Sequence, residues 1–276
     1  MITREQKQQF DAFGYLHLKQ LFSKHEIATI TQEADDIFAE ERQGGELAKG
    51  GQNSSQFVEK RESLTKAVED DRIYGSAESI LGAGFIWDGS EGHITTNSEH
   101  QWHPDRPGRR DRSDNEEELA YTRLKINLYL DLVTKEKGCL RVIPGSHRMP
   151  LHGEIEPDVR HQIGPTVAPF DLPGPEMPSV PLESEPGDAI LFNQSIWHAI
   201  FNGWASRRYI ALKFAAKPVT DVHLASLRYY GRGMFSPHPS WLHSKSARIR
   251  GMVADLPVLA AKEVPAFLPF REETLK

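Results

Sequence analysis

Two histidines and an aspartate form a possible set of metal donors: His103 and Asp105, separated by Pro104, and His198, far downstream. Two imidazoles and one carboxylate are the ligands of a mononuclear non-haem iron(II) centre, which leaves coordination positions open for an oxidant. In an extended strand, residues two apart point to the same side. Pro104 biases His103 toward extended backbone, so the triplet offers both side chains to one ion. His198 follows the turn Pro186-Gly187-Asp188 and the apolar run Ala189-Ile190-Leu191-Phe192, and a strand after that turn can carry its end back to the pair. Zinc accepts the same donors, so the triad alone leaves the metal open. Among the twelve histidines, His93, His100 and His147 are competing candidates. His100 and His103 are three apart and would share a face only in a helix, which Pro104 disfavours.

A second feature narrows the chemistry. A dicarboxylate that chelates iron through a 2-oxo acid leaves its far carboxylate free, and a guanidinium holds such a group by two parallel hydrogen bonds. Arg207 and Arg208 open an alternating run in which Ile210, Leu212 and Phe214 share a face with Arg208, while Tyr209, Ala211 and Lys213 share the other with Arg207. The run at Leu124 alternates likewise, with Leu124, Ile126 and Leu128 opposed to Lys125, Asn127 and Tyr129. With the apolar faces under helices, the mixed faces line a barrel interior. That arrangement favours Arg207 as the anchor, keeps Asn127 inside, and leaves Arg208 as the alternative. Iron beside a buried arginine predicts a 2-oxoglutarate-dependent oxygenase.

The elements that must position these groups are readable in outline. Residues 1–82 read as mainly helical. Thr3 with Gln6, and Ser23 with Glu26, have capping-box spacing, and Phe22 with Ile27 suits a hydrophobic staple. Ile27, Ile30, Ala34, Ile37 and Phe38 follow a helical period that Gly44-Gly45 stops. A third periodic stretch runs from Leu64 to Leu81. After Gly82, short β-type runs alternate with turn residues. Helices first and strands afterwards predict a mainly β fold with flanking helices: a double-stranded β-helix (jelly roll, cupin-like) with the N-terminal helices packed on one sheet. The expected layout is one oxygenase domain over 1–276, with a jelly-roll core at 83–217 and a C-terminal extension at 218–276, partly helical near Ser240 to Asp255. The Pro- and Gly-rich stretch from Pro150 to Pro186 is expected to be a functional or mobile loop.

Composition excludes other classes. The 276 residues carry a net charge of −6, which gives no electrostatic reason to bind nucleic acid. No apolar run nears the roughly 18 residues of a membrane helix, and the polar start lacks a secretion signal. One cysteine, Cys139, excludes an intrachain disulfide and a multi-Cys zinc site. A cytoplasmic monomer or homodimer acting on a small molecule is expected.

The chain resembles the phytanoyl-CoA dioxygenase family of iron- and 2-oxoglutarate-dependent oxygenases. The resemblance rests on Phe10 to Leu16 with Leu21-Phe22-Ser23, on Trp102-His103-Pro104-Asp105, and on Gly138 to His147. It extends through Pro186-Gly187-Asp188, Phe192, His198, Asn202 and Arg207. It implies that His103, Asp105 and His198 bind iron(II), that Arg207 holds 2-oxoglutarate, and that Asn127 neighbours the co-substrate. Dioxygen is then the second co-substrate, and succinate and CO2 are released as a small molecule is hydroxylated or otherwise oxidised. Asp105 occupies the position that halogenating relatives leave to a small residue, which predicts hydroxylation rather than halogenation. Departures are a short spacing from His198 to Arg207, Ile200 at a position where some members carry Ser, and an apparent insertion from Arg106 to Glu118. His147 belongs to the signature and is expected to serve a structural turn. The competing readings are a non-catalytic jelly-roll binding module with a structural metal and a zinc hydrolase. The mixed-charge segment after Asp105 is expected to be a solvated loop near the substrate entrance.

Overall fold

Thr3 and Ser23 start the first two long helices as their spacing predicts. Each side-chain oxygen accepts from the backbone three residues on, and Gln6 and Glu26 reach back to the cap N–H, closing two capping boxes around α1 (Arg4–Phe13) and α2 (Lys24–Arg42). The computed structural model describes residues 1–96, 98–105, 115–159, 172–203, 206–230 and 236–263. Most of the expected insertion after Asp105, and residues 160–171 of the expected loop, lie outside them.

The third periodic stretch is two helices, α3 (Glu62–Glu69) and α4 (Tyr74–Leu81). The break comes at Asp70, whose carboxylate accepts from the backbone N–H and the guanidinium of Arg72 and so competes with helix continuation. The N-terminal part is not purely helical. β1 (Tyr15–Leu18) and β2 (Gly51–Ser55) lie within it. β2, Gly-Gln-Asn-Ser-Ser, has poor strand propensity and is extended because it pairs with a neighbour in the sheet, a tertiary effect.

The remaining strands are β3 (Ile86–Thr95), β4 (His100–His103), β5 (Arg123–Tyr129), β6 (Leu140–Val142), β7 (Val180–Leu182), β8 (Ala189–Asn193), β9 (His198–Ile200) and β10 (Arg207–Ala215). They form a six-stranded sheet ordered β1-β8-β5-β10-β3-β2 and a four-stranded sheet ordered β4-β9-β6-β7. Every pairing is antiparallel, and the crossovers are those of a jelly roll. No pairing between these strands joins the two sheets. The expected barrel interior is therefore the space between two facing sheets, not the lumen of a closed barrel.

Three apolar clusters hold the layers. The largest joins the outer face of the six-stranded sheet (Leu124, Ile126, Leu128, Ile210, Leu212, Phe214) to the helices through Ile30, Ala34 and Phe38. A second lies between the sheets and includes Tyr129, Leu140, Val142, Ile190, Phe192 and Ile200. A third backs the four-stranded sheet with Trp102, Trp197 and Phe201 against Ile155 of the helix Leu151–Val159. The outer row sets the facing of β5 and β10. Each of its side chains contributes about 1.5–3 kcal/mol on burial. A one-residue slip would expose six of them and drive Lys125, Asn127, Arg207 and Lys213 under the helices.

The C-terminal segment belongs to the largest cluster, and more of it is helical than expected, with helices at Asp221–Tyr230, Pro239–Leu242, Ala247–Val253 and Leu256–Ala261. Trp241, 1% exposed, packs its ring 4.6 Å from that of Trp87 on β3. We predict that Trp241→Ala lowers the unfolding free energy by about 3–5 kcal/mol in urea titration; a loss below about 1 kcal/mol would mean that this segment adds little to the core. His147 is buried, and its Nδ1 has no partner among the described residues. Burial and then the charge of Arg148 push its imidazole down to about 4. A depressed histidine contributes stability that is complete above its unfolded value of about 6.5 and declines as pH falls toward the folded value. Stability should therefore drop between about pH 6.5 and pH 4, and His147→Asn should flatten that slope in denaturation curves taken across the range.

Candidate metal centre

β4 ends at His103 and β9 begins at His198, and these two residues are Cα partners in the antiparallel pair. The imidazoles are thus cross-strand neighbours, with ring centroids 4.4 Å apart. Further along, His100 pairs with Ile200, so β4 carries one residue more than β9 over this stretch, a bulge. Trp102, next to His103, alternates to the opposite face and joins the cluster that backs the four-stranded sheet. Across the bulge the His100 ring lies 6.1 Å from that of His103. The expectation that these two histidines cannot approach without a helix is corrected: a bulge has the same effect.

Asp105 lies just past β4 and is fixed through its backbone. Its N–H donates to the Gln194 carbonyl at 2.7 Å, and its carbonyl accepts from the Arg123 guanidinium, which also donates to Gln194 Oε1 at 2.8 Å. The carboxylate stands 3.8 Å from His103 Nε2 through Oδ1 and 3.8 Å from His198 Nε2 through Oδ2. One donor atom from each of the three residues falls within 4.8 Å of the others. Both imidazoles are oriented from behind. His103 Nδ1 lies 2.6 Å from the Gln101 carbonyl and His198 Nδ1 lies 2.9 Å from the Ile196 carbonyl. A carbonyl only accepts, so Nδ1 carries the proton on both rings and Nε2 presents its lone pair to the shared space.

Electrostatics favour the same protonation. Burial, and then the charge of His103, push His198 down to about 3. Burial works against an ionised Asp105, yet Lys125, His198 and His103 together hold its carboxyl well below the usual range. Lys125 Nζ donates to Asp105 Oδ2 at 2.8 Å. The ammonium is itself buried, but Asp105 and Glu91 outweigh that burial and keep it charged.

Farther along the inner face lies a second feature. Arg207 is 1% exposed, and none of its three guanidinium nitrogens has a hydrogen-bond partner among the described residues. Asn127 Oδ1 and the Tyr129 hydroxyl are also buried without one. Two glycines give the guanidinium room. A Cβ on Gly138 would come within 3.0 Å of Arg207 Nη1, and one on Gly203 within 2.8 Å. An unpaired charge in such a place costs several kcal/mol. Arg208 is placed otherwise. It points to the helix side, where its guanidinium meets Asp131 and the α2 residue Asp35 at 2.6 Å each. Ile200 lies in the cluster between the sheets.

Lys125, Tyr129, Glu91 and Lys213 were not singled out from the sequence, although the alternation already put Lys125, Tyr129 and Lys213 on the inner face. Glu91 accepts from Lys213 Nζ at 2.7 Å and lies 3.3 Å from His93 Nε2. His93 in turn stacks on Tyr209, centroids 4.4 Å apart. His93 therefore belongs to a polar network beside the triad rather than to the triad itself.

The fold has relatives among solved structures. HygX from Streptomyces hygroscopicus, crystallised with nickel and 2-oxoglutarate, is 16% identical with a TM-score of 0.62, over 78% of this chain and 88% of that one. The epimerase SnoN from nogalamycin biosynthesis, in complex with Fe3+, alpha ketoglutarate and nogalamycin RO, is 17% identical with a TM-score of 0.55, over 77% and 82%. The carbocyclase SnoK from the same biosynthesis is 19% identical with a TM-score of 0.56, over 81% and 90%. No curated protein matches the sequence significantly. Residues 10–202 match the model of the phytanoyl-CoA dioxygenase (PhyH) family, and the chain belongs to that family.

Proposed function

We propose that this protein is an iron(II)- and 2-oxoglutarate-dependent oxygenase that oxidises a small molecule with release of succinate and CO2. The observation that carries the reading is the buried guanidinium of Arg207, without a partner among the described residues, on the inner face of the six-stranded sheet, opposite the smaller sheet that carries His103 and His198 of the His-Asp-His triad. A structural metal site does not call for a buried cation without a counter-ion, and neither does a zinc hydrolase. A co-substrate with one chelating end and one free carboxylate accounts for both features at once. The solved relatives that carry nickel or iron with 2-oxoglutarate are consistent with it.

The donor chemistry fits the group. His103 and His198 offer Nε2, Asp105 offers a carboxylate oxygen, and the set leaves coordination positions open. Iron(II) bound there supplies the chelation of the 2-oxo acid and the activation of dioxygen. The chain's own residues do the rest. Arg207 pairs with the distal carboxylate and fixes the reach of the co-substrate from the metal. Asn127 and Tyr129 supply further polar atoms along that path. The cluster between the sheets excludes water from it. Asp105 keeps a protein oxygen in the coordination sphere, which favours hydroxylation over halogenation. A second reading, epimerisation or ring closure by the same machinery, is favoured by the relatives SnoN and SnoK. It differs only in the fate of the oxidised substrate.

Two experiments test the proposal. Protein loaded with iron(II) should form succinate from 2-oxoglutarate in air and none under nitrogen. His103→Ala, Asp105→Ala and His198→Ala should each remove that activity, and succinate formation without oxygen would exclude an oxygenase. Arg207→Ala should raise the 2-oxoglutarate concentration needed for half-maximal rate by about 10–100-fold, the loss of one or two charge-assisted hydrogen bonds. Arg208→Ala should leave that concentration nearly unchanged while lowering the thermal midpoint. The reverse order in steady-state kinetics would assign the anchor to Arg208.

A further inference from the structure

Asp105 has two carboxylate oxygens, and the structure uses them differently. Each stands 3.8 Å from an imidazole, Oδ1 from His103 Nε2 and Oδ2 from His198 Nε2, but only Oδ2 accepts a hydrogen bond among the described residues, from Lys125 Nζ at 2.8 Å. Among the described residues Lys125 Nζ donates to no side chain but Asp105, although the charge of Glu91 also favours its ammonium form. Its Cα partner on β10 is Lys213, and two ammonium groups directly opposite one another repel. Lys213 is taken up by Glu91 at 2.7 Å, and Glu91 also meets His93. On the other side, β8 offers only the ring of Phe192, 5.8 Å from Lys125 Nζ. The two lysines are thus paired separately, one with Glu91 and one with Asp105.

We propose that Lys125 is a positioning residue that keeps Asp105 a one-oxygen metal ligand and so holds open the coordination position that the 2-oxo acid needs. The inference rests on the function proposed above. An octahedral ion held by two imidazoles and one carboxylate oxygen keeps three positions free, two for the chelating co-substrate and one for the oxidant. A carboxylate that turned to bind through both oxygens would remove one of them. The ammonium on Oδ2 opposes that turn, because it occupies a lone pair of that oxygen and its positive charge repels a metal ion approaching the same atom. Outer partners of this kind orient a ligand without touching the metal. Sheet register sets the position: Lys125 is two residues along β5 from Arg123, which with Gln194 fixes the Asp105 backbone while Lys125 reaches the carboxylate.

The experiment uses Co(II) in place of iron as a redox-stable, coloured probe, with wild type, Lys125→Met and Lys125→Arg. Calorimetry reads Co(II) binding to the metal-free protein, then 2-oxoglutarate binding to the Co(II)-loaded protein. The visible spectrum of bound Co(II), taken before 2-oxoglutarate is added, reads the coordination. In Lys125→Met the Co(II) affinity should stay within about threefold, the spectrum should change, and 2-oxoglutarate affinity should fall by about tenfold or more. Lys125→Arg should restore both spectrum and affinity, and Lys125→Gln, too short to reach Asp105, should behave as Met does if the Met variant does not fold. Unchanged 2-oxoglutarate affinity in the Met or Gln variant would overturn the inference. So would a weaker affinity with an unchanged spectrum, which would mean that Lys125 contacts the co-substrate itself, or a parallel loss of Co(II) and 2-oxoglutarate binding, which would mean general disorder of the site. A wild-type Co(II) protein that bound no 2-oxoglutarate would remove the proposed function along with it.

Discussion

The two-residue alternation of β5 and β10 is the constraint on which the site depends. These adjacent strands have apolar side chains on one face and charged or polar ones on the other. The apolar face is held under the helices by the burial of Leu, Ile and Phe, and the opposite face has no choice but to look between the sheets. Charges placed there are costly unless paired. Lys125 finds Asp105, and Lys213 finds Glu91. Arg207 finds nothing among the described residues. The same force that stabilises the outer layer therefore holds inside a cation that has no partner among the described residues.

The metal donors depend on the smaller sheet in a complementary way. Cross-strand pairing of His103 with His198 brings the rings together. Hydrogen bonds from Nδ1 to neighbouring carbonyls turn both Nε2 atoms inward before any ion arrives. Asp105 lies beyond the end of its strand and is instead held by three contacts from the larger sheet and the turn that follows β8: Gln194, Arg123 and Lys125. The candidate centre thus spans the two sheets, two of its possible ligands being set by one and the third oriented by the other. Such pre-orientation reduces the ordering that binding would otherwise require.

Solved relatives with this architecture include an epimerase and a carbocyclase. A shared scaffold does not select one outcome for the oxidised substrate. In this chain the wall beside Asp105 carries Lys125, Lys213, Glu91 and His93, while the apolar side chains of the cluster between the sheets lie on neighbouring strands.

Much of this was readable from neighbouring residues. Both capping boxes, the alternation that turns Arg207 inward and Arg208 outward, and the donor types at His103, Asp105 and His198 are short-range patterns, visible because they concern residues within a few positions of one another. Other features are not local. Strand β2 exists because β3 offers it an edge, the Leu64–Leu81 stretch breaks where Asp70 binds Arg72, and His100 approaches His103 through a bulge. The pairing of Lys125 with Asp105 joins segments that only folding brings together. So does the lack of a partner for Arg207 among the described residues, because pairing depends on side chains from several distant segments. Sequence alone thus determined which groups were available and which way each strand would face. The tertiary structure decided which of them meet and which charge is left without a partner, since both depend on distances between residues far apart in the chain.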